Sequence, residues 1–148
     1  MVRQGKVCLN MIVRNEAHVI TETLDSVSRL IDYWVIVDTG SEDGTQQIIE
    51  SYFQEKGIEG ELHSREWRNF GLNRTEALKL CRGKGEYAWV VDADDLLQGS
   101  LDFSQLELDS YSLKFGLDFT YWRKQLFRTS MDWKYIGVVH EDRKSTRL

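Results

Sequence analysis

Tyr87-Ala88-Trp89-Val90-Val91-Asp92-Ala93-Asp94-Asp95 is the stretch on which the fold turns. Its first half is a short run of apolar, aromatic and β-branched residues, too brief for a helix of ordinary length, and it stops abruptly at acid. Bounded in this way, the segment reads as the clearest buried strand of the chain. The acid puts three carboxylates within four residues at the end of the strand. Their mutual repulsion raises their pKa values unless a cation intervenes. A divalent ion with hard oxygen ligands, Mg²⁺ or Mn²⁺, meets that need and commonly binds through one or two carboxylates plus substrate phosphates. A solvated turn capping a helix accounts for the same residues without any ligand.

Upstream, Leu72, Ala77, Leu78 and Cys81 follow a helical pattern, with Gly83 and Gly85 where that helix would stop. Glu61 to His63 reads as a short strand, and Thr45 to Phe53 as a helix through Ile48, Ile49, Tyr52 and Phe53. Tyr33 to Val37 is a second apolar strand that ends at Asp38, in the turn-forming run Asp38-Thr39-Gly40-Ser41-Glu42-Asp43-Gly44. Ala17 to Ile31 carries Ile20, Leu24, Val27 and Ile31 on one helical stripe, and Val7 to Val13 is the first strand, ending at Arg14-Asn15-Glu16. Strands alternating with helices predict an α/β fold of right-handed βαβ units, in which ligands bind beyond the carboxyl ends of the strands. Arg14 to Glu16, Asp38 to Asp43 and Asp92 to Asp95 then share one rim. Beyond Gly99 the pattern changes. Tyr111 to Leu117 and Tyr121 to Phe127 alternate as strands, Trp133 to Val139 offers another, and a mixed sheet is expected there.

The chain has 148 residues, 41% of them hydrophobic and 29% charged, which fits one globular domain with one core. A net charge of -5 leaves no basic excess to neutralise a phosphate backbone, so nucleic acid is excluded as a partner. No apolar run approaches the roughly 18 residues of a membrane span. Cys8 and Cys81 lack metal-type spacing and read as buried, reduced thiols, so a cytoplasmic location is expected.

Val7-Cys8-Leu9-Asn10-Met11-Ile12-Val13-Arg14-Asn15-Glu16, Val35-Ile36-Val37-Asp38-Thr39-Gly40-Ser41-Glu42-Asp43-Gly44-Thr45 and Trp89-Val90-Val91-Asp92-Ala93-Asp94-Asp95 resemble, in order and spacing, the motifs of family 2 glycosyltransferases. The wording is most similar to the bacterial branch that reads "KNE", "DTGSTDGT" and "DADE", with Arg14 in place of the lysine. The resemblance implies a GT-A type fold with a Rossmann-like, mostly parallel sheet flanked by helices. It divides a single domain, 1–148, into a nucleotide-sugar-binding half, 6–100, and the start of an acceptor-side half, 101–141. Val13, Arg14, Asn15 and Glu16 would cradle the nucleotide. Asp38 would accept a hydrogen bond from the base, uracil in most members, as a carboxylate can towards a ring N–H; the other reading of Asp38 is a turn-initiating residue.

Asn69-Phe70-Gly71-Leu72-Asn73-Arg74 resembles the family stretch "FxxARN", with the last pair reversed. Arg74 either pairs with Asp92, approaches the nucleotide, or is a plain exposed helix arginine. By the family pattern Asp94 is the metal ligand, Asp92 turns to ribose or Arg74, and Asp95 is a further ligand or supports one. Tyr135-Ile136-Gly137-Val138-Val139-His140-Glu141 resembles a later "GxxHE" element, with Glu141 the candidate base of an inverting transfer and His140 a candidate metal ligand or a structural histidine. Tyr121, Trp122, Trp133 and Tyr135 pack either against a sugar or into the core. His18 and His63 are read as structural.

The expected activity is therefore metal-assisted transfer of a sugar, with inversion, from a UDP-sugar to a hydroxyl of a glycan, lipid or protein. A complete transferase of this kind continues with acceptor-side helices, whereas only the polar Asp142 to Leu148 follow here, so the chain is expected to end short of them. One rival is a nucleotide-sugar-binding module without catalysis. The other is a haloacid-dehalogenase-like phosphatase, whose Asp-x-Asp lies on the first strand and is followed by Thr or Val, not by Asp95-Leu96 late in the chain.

Overall fold

In the computed structural model, which describes residues 6–99, 101–116 and 121–133, the three apolar segments and the short polar one at Glu61 form parallel strands: β1 (Val7–Val13), β2 (Tyr33–Asp38), β3 (Gly60–Ser64) and β4 (Tyr87–Val90). Two antiparallel strands, β5 (Ser110–Phe115) and β6 (Tyr121–Arg128), complete a six-stranded sheet in the order β3-β2-β1-β4-β6-β5. The switch from parallel to antiparallel falls where the hydrophobic pattern turns from continuous to alternating. The expected strand over 133–139 lies outside the described residues apart from Trp133, which is buried at the end of a turn rather than in a strand.

Helices α1 (Ile20–Val27) and α2 (Thr45–Lys56) cover one face, and α3 (Phe70–Leu80) covers the other. Ile20, Leu24, Val27 and Ile31 are all buried, as their spacing predicts, against Leu9, Met11, Trp34 and Ile36. Each such side chain contributes about 1.5–3 kcal/mol when fully removed from water. The helix is shorter than the stripe. The N–H groups of Asn15, Glu16 and Ala17 are taken by Ser41 Oγ, Thr45 Oγ1 and Asp43 Oδ2, residues 17–19 form a turn in which Glu16 O accepts from the Val19 and Ile20 N–H groups, and Ser28–Leu30 tightens to a 3₁₀ turn.

On the other face the expected helix forms and Ala77, Leu78 and Cys81 are buried, but the first residue of the pattern is not. Leu72 is 52% exposed, while Asn73 and Arg74 are buried. Asn69 caps α3 by accepting from the Leu72 N–H at 2.9 Å, which starts the helix two residues before Leu72. At the far end the Ala77 carbonyl accepts from Asn10 Nδ2 at 3.0 Å, so a buried polar residue of β1 satisfies a carbonyl near the end of α3. Cys8 and Cys81, far apart in sequence, meet here with their sulfurs 3.5 Å apart as buried thiols. Burial and the neighbouring thiol act together on Cys81, the hydrogen bond to Cys8 first, and push it well above the ordinary thiol range.

The edge of the sheet is closed by ions. Glu61 on β3 accepts from Lys84 Nζ at 2.7 Å and Tyr33 Oη at 2.9 Å, and lies 2.8 Å from His63 Nε2. Burial opposes ionisation, but Lys84, His63 and Tyr33 outweigh it and hold the Glu61 carboxyl at about 2. A carboxyl depressed in the fold stabilises it above the ordinary glutamate range and loses that contribution as pH falls towards 2. Glu61→Gln is therefore expected to cost about 1 kcal/mol at neutral pH, the size fitting a partly solvated cluster. Thermal melts should show the gap between variant and wild type closing between about pH 4.5 and pH 2; a gap independent of pH would exclude the ionic contribution.

Candidate functional site

The loops after β1 and β2 are stitched together at the carboxyl end of the sheet. Asn15 adopts a left-handed backbone, φ 53°, which Asn tolerates better than most residues. Its N–H donates to Ser41 Oγ at 2.9 Å and its Oδ1 accepts from the Glu42 N–H at 2.7 Å. Asn15 thus holds the rim in shape. Asp38, at the end of β2, is 1% exposed. Its Oδ1 accepts from the N–H groups of Gly40 and Ser41 and from Gln46 Nε2, each at 2.9 Å. Gly40 at φ 114° lets the chain fold back over the carboxylate at no steric cost. Burial alone would raise the Asp38 pKa, yet the donors of Ser41, Gly40 and Gln46 prevail and hold it below the ordinary range. The second oxygen, Oδ2, is buried and receives no hydrogen bond among the described residues. The turn-initiating reading explains Oδ1 and leaves Oδ2 unexplained.

At the end of β4, Asp92 is bracketed by two guanidinium groups. Arg74 of α3 donates to Asp92 Oδ1, and Arg123 of β6 stands 3.5 Å from Asp92 Oδ2. Arg74 is 4% exposed, which removes the exposed-arginine reading, and its guanidinium lies over the Phe70 ring at 5.1 Å. Arg74 Nε and Nη1 are buried with no partner among the described residues. Asp95 is committed elsewhere: its Oδ2 accepts from the Asp92 N–H at 3.0 Å and faces Arg123 at 3.3 Å. Burial, and then the Asp92 charge, raise its carboxyl above the ordinary range. Asp94 is exposed and makes no ion pair among the described residues. Glu16 lies near enough to Asp94 that burial first and Asp94 next raise its carboxyl.

Two clefts open on this rim. One, of about 570 Å³, runs past Asp38, Gln46 and Arg65; the other, of about 500 Å³, is lined by Val13, Glu16, Phe70, Arg74, Asp92 and Asp94. Arg14, Thr39 and Trp67 line both and so join them into one trough. The rim therefore gathers Val13, Arg14, Glu16, Asp38, Arg74, Asp92 and Asp94 along one trough, while Asn15 braces it and Asp95 stands back from it. His140 and Glu141 lie outside the described residues. No group of three or more His, Cys, Asp or Glu among the described residues is arranged to hold a metal by itself. A single free carboxylate fits Mg²⁺ or Mn²⁺ only if phosphate and water supply the remaining oxygens, which is an ordinary arrangement for these ions.

Arg123, Trp67 and Asn73 escaped the sequence reading. Arg123 reaches the site from an antiparallel strand 28 residues beyond Asp95, and an arginine in an alternating strand carries no signal of its own. The aromatic group read as packing either against a sugar or into the core is divided: Trp133 packs against Phe127 at 5.2 Å in the core, Trp122 is 67% exposed, and Tyr135 and the Tyr121 side chain lie outside what is described.

Comparison with known proteins places this arrangement. Glycosyl transferase family 2 matches residues 8–107. Among solved structures, S. aureus TarS in complex with UDP is 29% identical, with a TM-score of 0.50 over 60% of this chain and 27% of its own. The mannosyltransferase PcManGT of Pyrobaculum calidifontis, in complex with GDP-Man and Mn²⁺, is 25% identical, with a TM-score of 0.56 over 67% of this chain and 30% of its own. A TPR repeat-containing protein of Synechococcus elongatus is 35% identical over 93 residues, 63% of this chain and 21% of that protein. The fold is the GT-A fold of nucleotide-sugar glycosyltransferases. The chain belongs to glycosyl transferase family 2, which sets aside the phosphatase reading. It spans less than a third of the length of these relatives.

Proposed function

We propose that this domain binds a UDP-sugar along the trough and transfers the sugar, with inversion, to an acceptor hydroxyl. The observation that carries the reading is the continuous trough, which has a buried unpaired carboxylate oxygen of Asp38 at one end and the free carboxylate of Asp94 at the other. That polarity matches a ligand with a ring N–H at one end and a diphosphate at the other. Uracil is favoured over guanine because Oδ1 is saturated by three donors, leaving one acceptor for one donor. Guanine offers adjacent N–H donors and needs two acceptors; adenine and cytosine present a lone pair where Asp38 needs a proton. Oδ2 is covered, so the base must displace part of the cleft wall to reach it.

Asp94 is the residue that would hold Mg²⁺ or Mn²⁺, with Glu16 beside it, and the ion's contribution when bound is to neutralise the departing diphosphate. Arg74 turns its unpaired N–H groups to the phosphates. Arg123 and Asp95 fix Asp92, which is left to meet the ribose. The base for the acceptor proton is assigned to Glu141, with His140 beside it. Residues 6–100 form the donor half of the domain and 101–141 begin the acceptor half. No helix among the described residues is long and apolar enough to cross a membrane, and a cytoplasmic site of action is part of the proposal.

Calorimetric titration tests it. UDP is expected to bind with Mn²⁺ and to weaken about 100-fold in excess chelator or in Asp94→Ala, the loss of one charge-assisted metal contact being about 2–3 kcal/mol. Binding that is indifferent to both, or absent for every nucleoside diphosphate, would sink the assignment. Release of free sugar from the donor separates a transferase from a binding module.

A further inference from the structure

We infer that Trp67, in the loop between β3 and α3, is the surface on which the nucleoside of the donor stacks, an assignment that rests on the nucleotide reading of the trough. Trp67 is 43% exposed and lines both clefts of the trough. Its loop is nevertheless held rigidly. Asn73, buried in α3, accepts at Oδ1 from the N–H groups of Arg68 at 2.9 Å and Asn69 at 3.2 Å, and donates from Nδ2 to the Glu66 carbonyl at 3.1 Å. Glu76 holds Arg65 at 3.1 Å and Arg68 at 3.0 Å, and the Arg65 N–H donates to the Asp38 carbonyl at 3.0 Å. The backbone on both sides of Trp67 is thus fixed to the helix and to the strand that bears Asp38, while the ring is left to solvent.

Elimination leads to the same residue. Among the described residues Trp67 is the only aromatic one lining the Asp38 cleft. The neighbouring cleft adds Phe70, whose ring already carries the Arg74 guanidinium. Trp67 meets Phe70 at 80° with centroids 6.3 Å apart, so that contact is not a stack, and among the described residues no ring is stacked on it. Arg14, exposed, lines both clefts together with Trp67 and supplies a cation to the same trough. A preorganised indole 29 residues downstream of the carboxylate that reads the base is the arrangement that binds a nucleoside with little ordering cost.

The test uses the full chain with Mn²⁺, two probes and two variants. Base stacking on an aromatic ring is worth about 1–3 kcal/mol, so Trp67→Ala is expected to weaken UDP about tenfold or more while leaving inorganic pyrophosphate unchanged. Trp67→Phe should keep UDP within about threefold, because a smaller ring still stacks. UDP should also quench the tryptophan fluorescence of the wild type and quench Trp67→Phe far less, a readout that does not depend on the alanine variant folding. Unchanged UDP affinity in a folded Trp67→Ala, an equal loss of UDP and pyrophosphate, or equal quenching in wild type and Trp67→Phe would each overturn the assignment. A wild-type chain that binds pyrophosphate and no nucleotide would overturn the nucleotide reading itself, a result separate from any of these.

Discussion

Arg74→Met is expected to cost about 2–3 kcal/mol of stability and to weaken UDP by about 10- to 100-fold. Removing one partner of a buried ion pair costs about 3–5 kcal/mol when the other charge is stranded. Asp92 is not wholly stranded: its side chain is 18% exposed and Arg123 remains 3.5 Å from Oδ2, so the lower figure applies. At about 4 °C per kcal/mol for a domain of this size, the melting temperature should fall by roughly 8–12 °C. The binding loss has a separate origin. Arg74 Nε and Nη1 are buried and unsatisfied, a costly condition that a diphosphate in the adjoining cleft would relieve through charge-assisted hydrogen bonds. At one fixed UDP concentration the melting temperature should therefore rise less in the variant than in the wild type. Arg74→Lys should recover some stability and little binding, because an ammonium pairs with Asp92 but lacks the planar fork. A variant that melts with the wild type would remove the pair from the stability of the site, and a lysine variant that binds UDP normally would remove the fork from recognition.

The same arginine shows what the sequence discloses and what it withholds. The strands were legible because a parallel sheet buries both faces, and a run such as Val35-Ile36-Val37 has no other economical place. The stripe of Ile20, Leu24, Val27 and Ile31 was legible for the same reason, although its α-helix starts only at Ile20, after Asn15, Glu16 and Ala17 have given their N–H groups to the next loop, and gives way to a 3₁₀ turn at Ser28. Helix α3 was less legible because its buried face carries Asn73 and Arg74, and apolar spacing cannot see a polar residue that is buried to hold a loop or a carboxylate. The rim itself followed from strand-end motifs. The division of labour along it did not: Asp94 stands free while Asp95 is occupied by Arg123 and a backbone N–H, a difference set by a strand that arrives 28 residues later. Such long-range pairings leave no local trace, so the residue pattern alone does not tell Asp92, Asp94 and Asp95 apart, and only the family resemblance offered them separate roles.

Asp38→Asn should exchange the nucleotide that is preferred. The change is isosteric, and the three donors from Gly40, Ser41 and Gln46 that converge on Oδ1 fix which way the amide points, since a flipped NH₂ would face all three. The amide oxygen keeps those partners, and the NH₂ takes the place of Oδ2. A group that could only accept becomes one that can only donate. UDP then meets N–H against N–H, and its affinity is expected to fall by about 100-fold, the scale on which a site built for one hydrogen bond rejects the wrong partner. CDP, whose ring nitrogen accepts, should gain, and the ratio of the two affinities is the quantity to measure at fixed Mn²⁺. Because the wild-type carboxyl is held below the ordinary aspartate range, it is ionised across neutral and mildly acidic solution, and the preference for UDP should erode only once the pH falls below the ordinary aspartate value of 3.8. The fold should lose no more than about 1–2 kcal/mol, the difference between charged and neutral acceptors for three retained hydrogen bonds. An asparagine variant that still prefers UDP by the wild-type margin would mean that Oδ2 never meets the base, and that the buried oxygen belongs to the turn alone.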